Sequence, residues 1–316
     1  MLTYTKKIQE LAKRLLAEGK VDLVIGYRQG TIPMMNEPVQ VKSADQTDQL
    51  YWDSFCGVNL ANYLTKRTER IAIVAKGCDS RNIVVHLQEG QVKREQLVIL
   101  GAPCQGMLDR RKVWGRLDGQ EPLKALEDAN QLIVEGKGFK QSLDRAELLQ
   151  DNCAICTHRN PVLYDELLGD LVPEQTGVDR YADIRTVEAL DPEGRWQVFE
   201  KLIEPCIRCY ACRNACPQCY CPLCFVDESK PQWVGKGLDK TDLRTFHFLR
   251  AFHLAGRCTD CGACERACPV GIKVRQFTKK LEKDVWDRYG FEAGIILEGR
   301  PPLDTFRPDD QEEFIK

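Results

Sequence analysis

A chain of 316 residues is long enough for two domains, and 43% hydrophobic with 29% charged residues excludes a disordered, collagen-like or low-complexity protein. Lys plus Arg (45) nearly balances Asp plus Glu (47), a formal charge of -2, which leaves no basic field of the kind that drives nucleic-acid binding. No apolar run approaches the roughly 18 to 20 residues of a membrane-spanning helix, and Met1 to Lys20 reads as an amphipathic helix rather than a secretion signal. The protein is therefore expected in the cytoplasm, with no direct membrane insertion.

In chain order, Ile8, Leu11, Ala12, Leu15 and Leu16 recur at helical spacing and predict a helix of about four turns, capped by Thr3 or Thr5 and stopped at Gly19. Apolar runs at Val21 to Ile25, Ile71 to Ala75 and Leu97 to Leu100, closed by Gly26, Gly77 and Gly101, predict buried strands. Between the last two, Ser80 is expected to cap a helix through Ile83, Val84 and Leu87 to Gly90, the order of a right-handed parallel unit. Residues 1–150 should thus form an α/β domain with a mostly parallel sheet. Residues 151–200 read as a connector with some helix and with turn signals at Asp191-Pro192 and Glu193-Gly194. The stretch 201–290 should be mostly α-helical, with one helix patterned by Leu243, Phe246, Leu249 and Phe252 up to Gly256. Its last helix carries Val274, Phe277, Leu281 and Val285 on one face. Residues 291–316 are an expected extended tail: from Arg300 they hold Pro301, Pro302, Pro308 and a run of acids, suited to lie across a neighbouring subunit.

Sixteen cysteines call for a disulfide framework or for metal ligation. Eleven of them lie between Cys206 and Cys268, and that crowding favours metal. Cys206, Cys209, Cys212, Cys216 and Pro217 fit the C-x2-C-x2-C-x3-C-P run of bacterial ferredoxins, and Cys258, Cys261, Cys264, Cys268 and Pro269 repeat it without a gap. Three thiolates on a tight loop can reach three corners of one iron-sulfur cube, while the fourth begins the next element and faces the other cube. Carried onto these positions, Cys206, Cys209, Cys212 and Cys268 hold one 4Fe-4S cluster and Cys258, Cys261, Cys264 and Cys216 a second. Small residues beside the thiolates, Ala211, Ala215, Ala263 and Ala267, suit close packing and peptide N–H donation to sulfur. A single C-x2-C would leave a zinc knuckle open; two complete runs with the terminal proline do not. The long insert from Cys216 to Cys258 resembles the helical two-cluster ferredoxin domains of succinate dehydrogenase and heterodisulfide reductase subunits.

Outside these eight, Cys78 and Cys104 each follow a predicted strand and should emerge at the carboxyl edge of one sheet, where α/β folds place ligands. Cys153 and Cys156 add a C-x2-C pair, so a third cluster is expected on Cys104, Cys153 and Cys156, with Cys78 as fourth ligand and Cys56 as its rival. Cys219, Cys221 and Cys224 follow Cys216 closely, and Cys221 with Cys224 could instead join Cys153 and Cys156 in a four-cysteine site, either zinc or a fourth cluster. Of the four histidines, His247 and His253 sit on an aromatic-rich helix where packing or a hydrogen bond is the expected role, and His158 is a candidate ligand or proton carrier. No G-x-G-x-x-G, P-loop, nucleophile elbow or H-E-x-x-H occurs, and Gly136-Lys137-Gly138 reads as a turn.

Phe55-Cys56-Gly57-Val58, Lys76-Gly77-Cys78-Asp79, Leu100-Gly101-Ala102-Pro103-Cys104-Gln105-Gly106 and the Cys153/Cys156 pair resemble the beta subunits of deazaflavin-reducing hydrogenase and deazaflavin-linked formate dehydrogenase, over roughly the first 170 residues. The resemblance implies a 4Fe-4S cluster in this domain and commonly a flavin (FAD) that exchanges hydride with the deazaflavin. Val58 stands where the family often shows a second glycine, which counts against the flavin because close approach of backbone to a cofactor favours glycine. Together these features lead us to expect an iron-sulfur electron-transfer subunit, not itself catalytic, of a cytoplasmic oxidoreductase complex in an anaerobe. Its partner would be a hydrogenase, a formate dehydrogenase or a heterodisulfide-reductase-like enzyme. The alternatives are a flavin-containing subunit that itself exchanges hydride with a deazaflavin or nicotinamide, and a zinc-bound scaffold.

Overall fold

The computed structural model describes residues 2–128 and 130–303. Helix α1 (Leu2–Ala17) buries Ile8, Leu11, Ala12 and Leu15, as their spacing predicts, and the chain turns at Gly19 with φ +62°. Thr3 and Thr5 lie inside this helix, and Thr5 Oγ1 is bonded to the backbone of Trp52, which pins the helix to the loop beneath.

Two strands, β1 (Leu23–Gln29) and β2 (Asn36–Val41), form an antiparallel hairpin. They are followed by β3 (Ile71–Lys76), α2 (Gly77–Gln88) and β4 (Leu97–Ala102). The main sheet runs β2-β1-β3-β4 and ends on the short β8 (Glu166–Leu167); every pairing in it except β1 with β2 is parallel. All six residues of β3 are buried, as a central parallel strand covered on both faces requires. The α/β character expected of this region is therefore present.

The cap of α2 differs from expectation. The helix starts at Gly77 rather than after Ser80, because Asp79 accepts the Lys76 backbone N–H (2.9 Å) and closes the first turn, while Ser80 Oγ donates back to the Gly77 carbonyl (2.9 Å). Buried on this helix are not only Ile83, Val84 and Val85 but also Asp79, Ser80, Arg81, Asn82 and His86. That polar face makes sense only against a second layer: Asn82 Nδ2 donates to Thr259 Oγ1 (2.8 Å), Gln218 Nε2 donates to Asn82 Oδ1 (2.7 Å), and His86 Nε2 lies 2.9 Å from the Pro217 carbonyl. The helix thus couples the sheet to the cysteine-rich segment.

Beyond α3 (Arg110–Trp114) lies a three-stranded antiparallel sheet, β5 (Pro122–Asp128), β6 (Gln131–Gly136) and β7 (Phe139–Asp144), which the sequence reading passed over. Its strands are half exposed and mix charged with apolar positions, so the period-2 signal survives only at Leu132 and Val134. Lys137 and Gly138 make the hairpin turn between β6 and β7, as expected of that tripeptide. Two short helices follow, α4 (Arg145–Leu148) and α5 (Asp151–Ala154), then β8 and α6 (Ala182–Glu188). Asp191-Pro192 does not turn the chain: Asp191 caps α7 (Pro192–Ile203), accepting the Gly194 N–H at 2.7 Å, and proline fills the first helical position where its missing donor is harmless.

The remaining part is helical, with α8 (Ala211–Asn214), α9 (Lys240–Phe252), α10 (Ala263–Ala267) and α11 (Val274–Tyr289). On α9 the buried stripe is Leu243, Phe246, His247, Arg250 and Ala251, while Leu249 and Phe252 are exposed. Of the four apolar positions that pattern this helix only Leu243 and Phe246 are buried; the helix is rotated so that a histidine and an arginine face the cysteines. Pro301 is buried, and residues 304–316, with Pro308 and the acidic run of the expected tail, lie outside the described residues. No helix among the described residues is long and apolar enough to cross a membrane.

Candidate functional site

All sixteen cysteines are free of disulfide bonds. Strand register explains how two of them meet. Lys76 of β3 is paired with Ala102 of β4, so Cys78 and Cys104 each stand two residues past the same point and leave the sheet together at its carboxyl edge. The Cys104 N–H donates to the Arg159 carbonyl (2.9 Å) and the Gln150 N–H to the Met107 carbonyl (3.0 Å), which ties the segment carrying Cys153 and Cys156 to the end of β4. As a result Cys78, Cys104, Cys153 and Cys156 line one cavity. Peptide N–H groups already aim at two of the sulfurs, Gly106 at Cys104 (3.3 Å) and Met107 at Cys153 (3.4 Å). Gly77 is compulsory here, because a Cβ on it would sit 2.3 Å from the His158 carbonyl oxygen.

The wall of this cavity also carries Lys76, Arg81, Arg159 and Arg180 against Asp260. Lys76 is buried, paired with Asp79 at 2.7 Å, and held 4.9 Å from the Tyr27 ring centre. Burial pushes the Cys104 thiol up to about 12 and the Cys156 thiol up to about 11, and it raises Cys78 and Cys153 in the same direction. Such thiols stay protonated at neutral pH unless a metal displaces the proton. Four thiols among cations suit a metal centre whose thiolate ligands carry negative charge. Cys56 does not line the cavity; it is buried elsewhere, 3.3 Å from Asn36 Nδ2, so Cys78 is the thiol that the fold brings to this group.

In the cysteine-rich segment the two runs fold alike. Arg208 and Tyr210 in the first and Asp260 and Gly262 in the second occupy the same offsets and all have positive φ, between 52° and 69°. These left-handed residues curl each loop tightly before its short helix, α8 or α10. Cys206, Cys209 and Cys212 line a second cavity with Cys268, the last cysteine of the other run. Burial raises the Cys261 and Cys264 thiols, and both also feel the thiol of Cys216, the last cysteine of the first run. Cys258 joins that group through Cys261. The last cysteine of each run thus lies beside the first three of the other. Sulfur meets peptide N–H from Arg208 at Cys206 (3.3 Å) and from Ile272 at Cys268 (3.3 Å).

The sheet-edge group adjoins the second ferredoxin-type group. Burial, then Asp79 and the thiols of Cys261 and Cys104, raise the Cys78 thiol, which places the sheet-edge group beside the group of Cys261. At the other end Cys209 is exposed, flanked by the exposed Ile207 and Val270 on the cavity rim. Among the described residues no three His, Cys, Asp or Glu side chains close round a single ion, a condition that a cubane with one thiolate per iron does not impose.

Residues 202–272 match the family described as a 4Fe-4S dicluster domain. This chain is an iron-sulfur protein. The F420-dependent formate dehydrogenase subunit beta of Methanocaldococcus jannaschii is 21% identical over 94% of this chain and 93% of its own length. The F420-dependent formate dehydrogenase 1 subunit beta of Methanococcus maripaludis is 22% identical over 94% and 92%. The chain thus resembles these beta subunits along nearly its whole length, well beyond the first 170 residues. Among solved structures it is similar to a chain of the F420-reducing [NiFe] hydrogenase complex from Methanosarcina barkeri, at 12% identity and a TM-score of 0.39, covering 66% of this chain and 86% of that one.

The other sequence candidates fall as follows. Cys219 lies against Cys216, Cys224 against Arg213, and Cys221 is exposed; neither Cys221 nor Cys224 lines the cavity of Cys153 and Cys156, so the four-cysteine pairing of these two motifs is not what the fold assembles. His253 packs edge-on against Phe225. His247 takes the hydrogen-bonding role, its Nε2 3.2 Å from Cys206 Sγ. His158 lines the sheet-edge cavity, but its Nδ1 faces Thr157 and Arg81 rather than a thiol. Sequence reasoning missed Arg250, buried among the cysteines; the signal was an arginine interrupting the apolar stripe of α9. It also missed a cavity of about 760 Å³ between the sheet and the cysteine segment, bordered by Gly57, Arg110, Arg111, Arg266 and Lys273.

Proposed function

We propose that the chain is an electron-transfer subunit of a cytoplasmic oxidoreductase complex in an anaerobe, holding three 4Fe-4S clusters. The first would be bound by Cys206, Cys209, Cys212 and Cys268, the second by Cys258, Cys261, Cys264 and Cys216, and the third by Cys78, Cys104, Cys153 and Cys156. Residues 1–150 would act as the α/β domain, 151–200 as the connector that brings Cys153 and Cys156 to the sheet edge, 201–290 as the ferredoxin domain and 291–316 as the tail. Clusters of this type supply one-electron transfer when bound. The observation that carries the reading is adjacency: Cys78 lies near both Cys104 and Cys261, Arg250 stands among thiols of both ferredoxin-type runs, and the series ends at the exposed Cys209. The protein's own part is to hold each thiolate, to aim peptide N–H groups at sulfur and to keep water out. Resemblance to formate dehydrogenase beta subunits supports a formate dehydrogenase partner ahead of a hydrogenase or heterodisulfide-reductase-like one.

A second reading has a specific observation behind it. The cavity of about 760 Å³ falls within the size range of cofactor sites, and its lining offers Arg110, Arg111 and Arg266 to a ligand with phosphates, beside Asp109, Glu265 and the Lys273–Asp151 ion pair. A flavin there would make the chain a hydride-exchanging subunit. Gly57 borders this cavity with Val58 beside it, so the single valine does not close the site. Anaerobic purification followed by iron, sulfide, zinc and flavin analysis tests both readings. Iron and sulfide without flavin are expected of the electron carrier, added flavin of the hydride-exchanging subunit, and zinc alone would contradict both.

A further inference from the structure

The insert between Cys216 and Cys258 carries α9, and that helix turns one charged side chain into the cysteine-rich interior. Arg250 is only 4% exposed. Its Nη2 donates to the Cys212 carbonyl at 3.0 Å, and its Nε has no hydrogen-bond partner. The ion pairs among the described residues give it no carboxylate. Other buried cations nearby are all matched: Lys76 by Asp79, Arg81 by Glu292, Arg275 by Asp260 and Glu265, and Lys279 by Asp260 and Glu282. Burying an unmatched guanidinium is costly, and arginine cannot escape by losing its proton. What surrounds it instead is sulfur. Burial works against its charge, but the thiols of Cys216, Cys264 and Cys212, drawn from both runs, together with that of Cys219 outside them, act in its favour.

We infer that Arg250 is a charge-positioning residue shared by the two ferredoxin-type centres: its guanidinium is their common counter-ion and raises the reduction potential of both. The inference rests on the cluster assignment proposed above. Each centre brings four thiolates, and each electron it accepts adds one negative charge. A fixed positive charge in a water-poor interior stabilises the reduced form more than the oxidised form, so it moves the potential upward. Cys212 belongs to the first centre, and Cys216 with Cys264 to the second, so one guanidinium acts on both. His247, one turn earlier on α9, supplies an internal contrast. Its Nε2 lies 3.2 Å from Cys206 Sγ, in the first centre, and the cavity it lines holds only the thiols of that centre. Its influence should stop at the first centre.

The test uses the full chain, reconstituted anaerobically, with iron analysis and redox titration followed by electron paramagnetic resonance. If the unaltered chain lacks two 4Fe-4S signals from the ferredoxin segment, the cluster assignment itself fails. Given those signals, Arg250→Gln should shift both midpoint potentials downward together and leave the sheet-edge centre where it was. Arg250→Lys should stay near the starting values, and His247→Phe should move the first centre only. A loaded Arg250→Gln protein with unchanged potentials, a shift confined to one centre, or an equal shift in Arg250→Lys would overturn the inference. Should Arg250→Gln fail to take up iron, loading of Arg250→Lys would still show that the charge is required. Failure of both to load would mean that the guanidinium shape, not its charge, is what the fold needs, and the counter-ion role would be wrong.

Discussion

The sheet-edge thiols and the ferredoxin-type thiols reach the same kind of arrangement by opposite routes. In the ferredoxin segment a short loop with two left-handed residues gathers three thiols locally, and only the fourth comes from a distant run. At the sheet edge nothing is local except the Cys153/Cys156 pair: Cys78 and Cys104 are brought together by the register of two parallel strands, and the loop holding the pair is fastened by backbone bonds to the end of β4. A loop motif carries its own geometry, whereas a fold-built site depends on every contact that sets the fold. Damage to packing should therefore empty the sheet-edge site before it touches the other two.

The largest effect that sharpens this contrast is expected from Cys216→Ser. If the fourth cysteines are exchanged, the centre held by Cys258, Cys261 and Cys264 loses its spectroscopic signal while that of Cys206, Cys209 and Cys212 persists. Loss confined to the latter would show that each run serves itself. Next comes Gly77→Ala. A methyl group 2.3 Å from the His158 carbonyl oxygen and 2.9 Å from that of Asn160 must push the 158–160 segment outward, and with it the neighbouring Cys156. Overpacking of this sort costs about 1–3 kcal/mol. Thermal unfolding should fall accordingly, and iron should be lost from the sheet-edge site alone; equal loss from all sites would break the contrast. The smallest effect is predicted for Cys221→Ser, since this thiol is exposed and lines none of the described cavities. Iron content per chain should not change, and a drop would place Cys221 in a further centre.

How much of this could be read from the sequence follows the same division. The two cysteine runs pointed to eight thiols because their spacing is local, and the expected exchange agrees with Cys268 lining the cavity of Cys206, Cys209 and Cys212. Strand ends at Ala75 and Leu100 were enough to bring Cys78 and Cys104 to one edge, although the decisive fact, Lys76 opposite Ala102, is a register that no local pattern prints. Helix caps misled at Thr5 and Ser80, where hydroxyls bond to backbone inside or beneath a helix instead of starting one. Asp191-Pro192 misled because a turn and a helix start share the same residues. On α9 the apolar pattern marked the helix but not its buried face: the fold turns His247 and Arg250 inward and leaves Leu249 and Phe252 exposed, because polar side chains there meet sulfur rather than water. The polar face of α2 was likewise invisible until its second layer was known, since Asn82 and His86 are satisfied only by Thr259, Gln218 and Pro217.

The account stands or falls on whether the sheet-edge thiols hold a cluster of their own beside the two in the ferredoxin segment. Iron and acid-labile sulfide per chain, measured side by side on the anaerobically prepared protein and its Cys104→Ala variant, address this directly. Three clusters of four irons predict about twelve irons in the unaltered chain and about eight in the variant, with the ferredoxin-type signals intact in both. About eight irons in both proteins, or zinc in place of the missing iron, would contradict it.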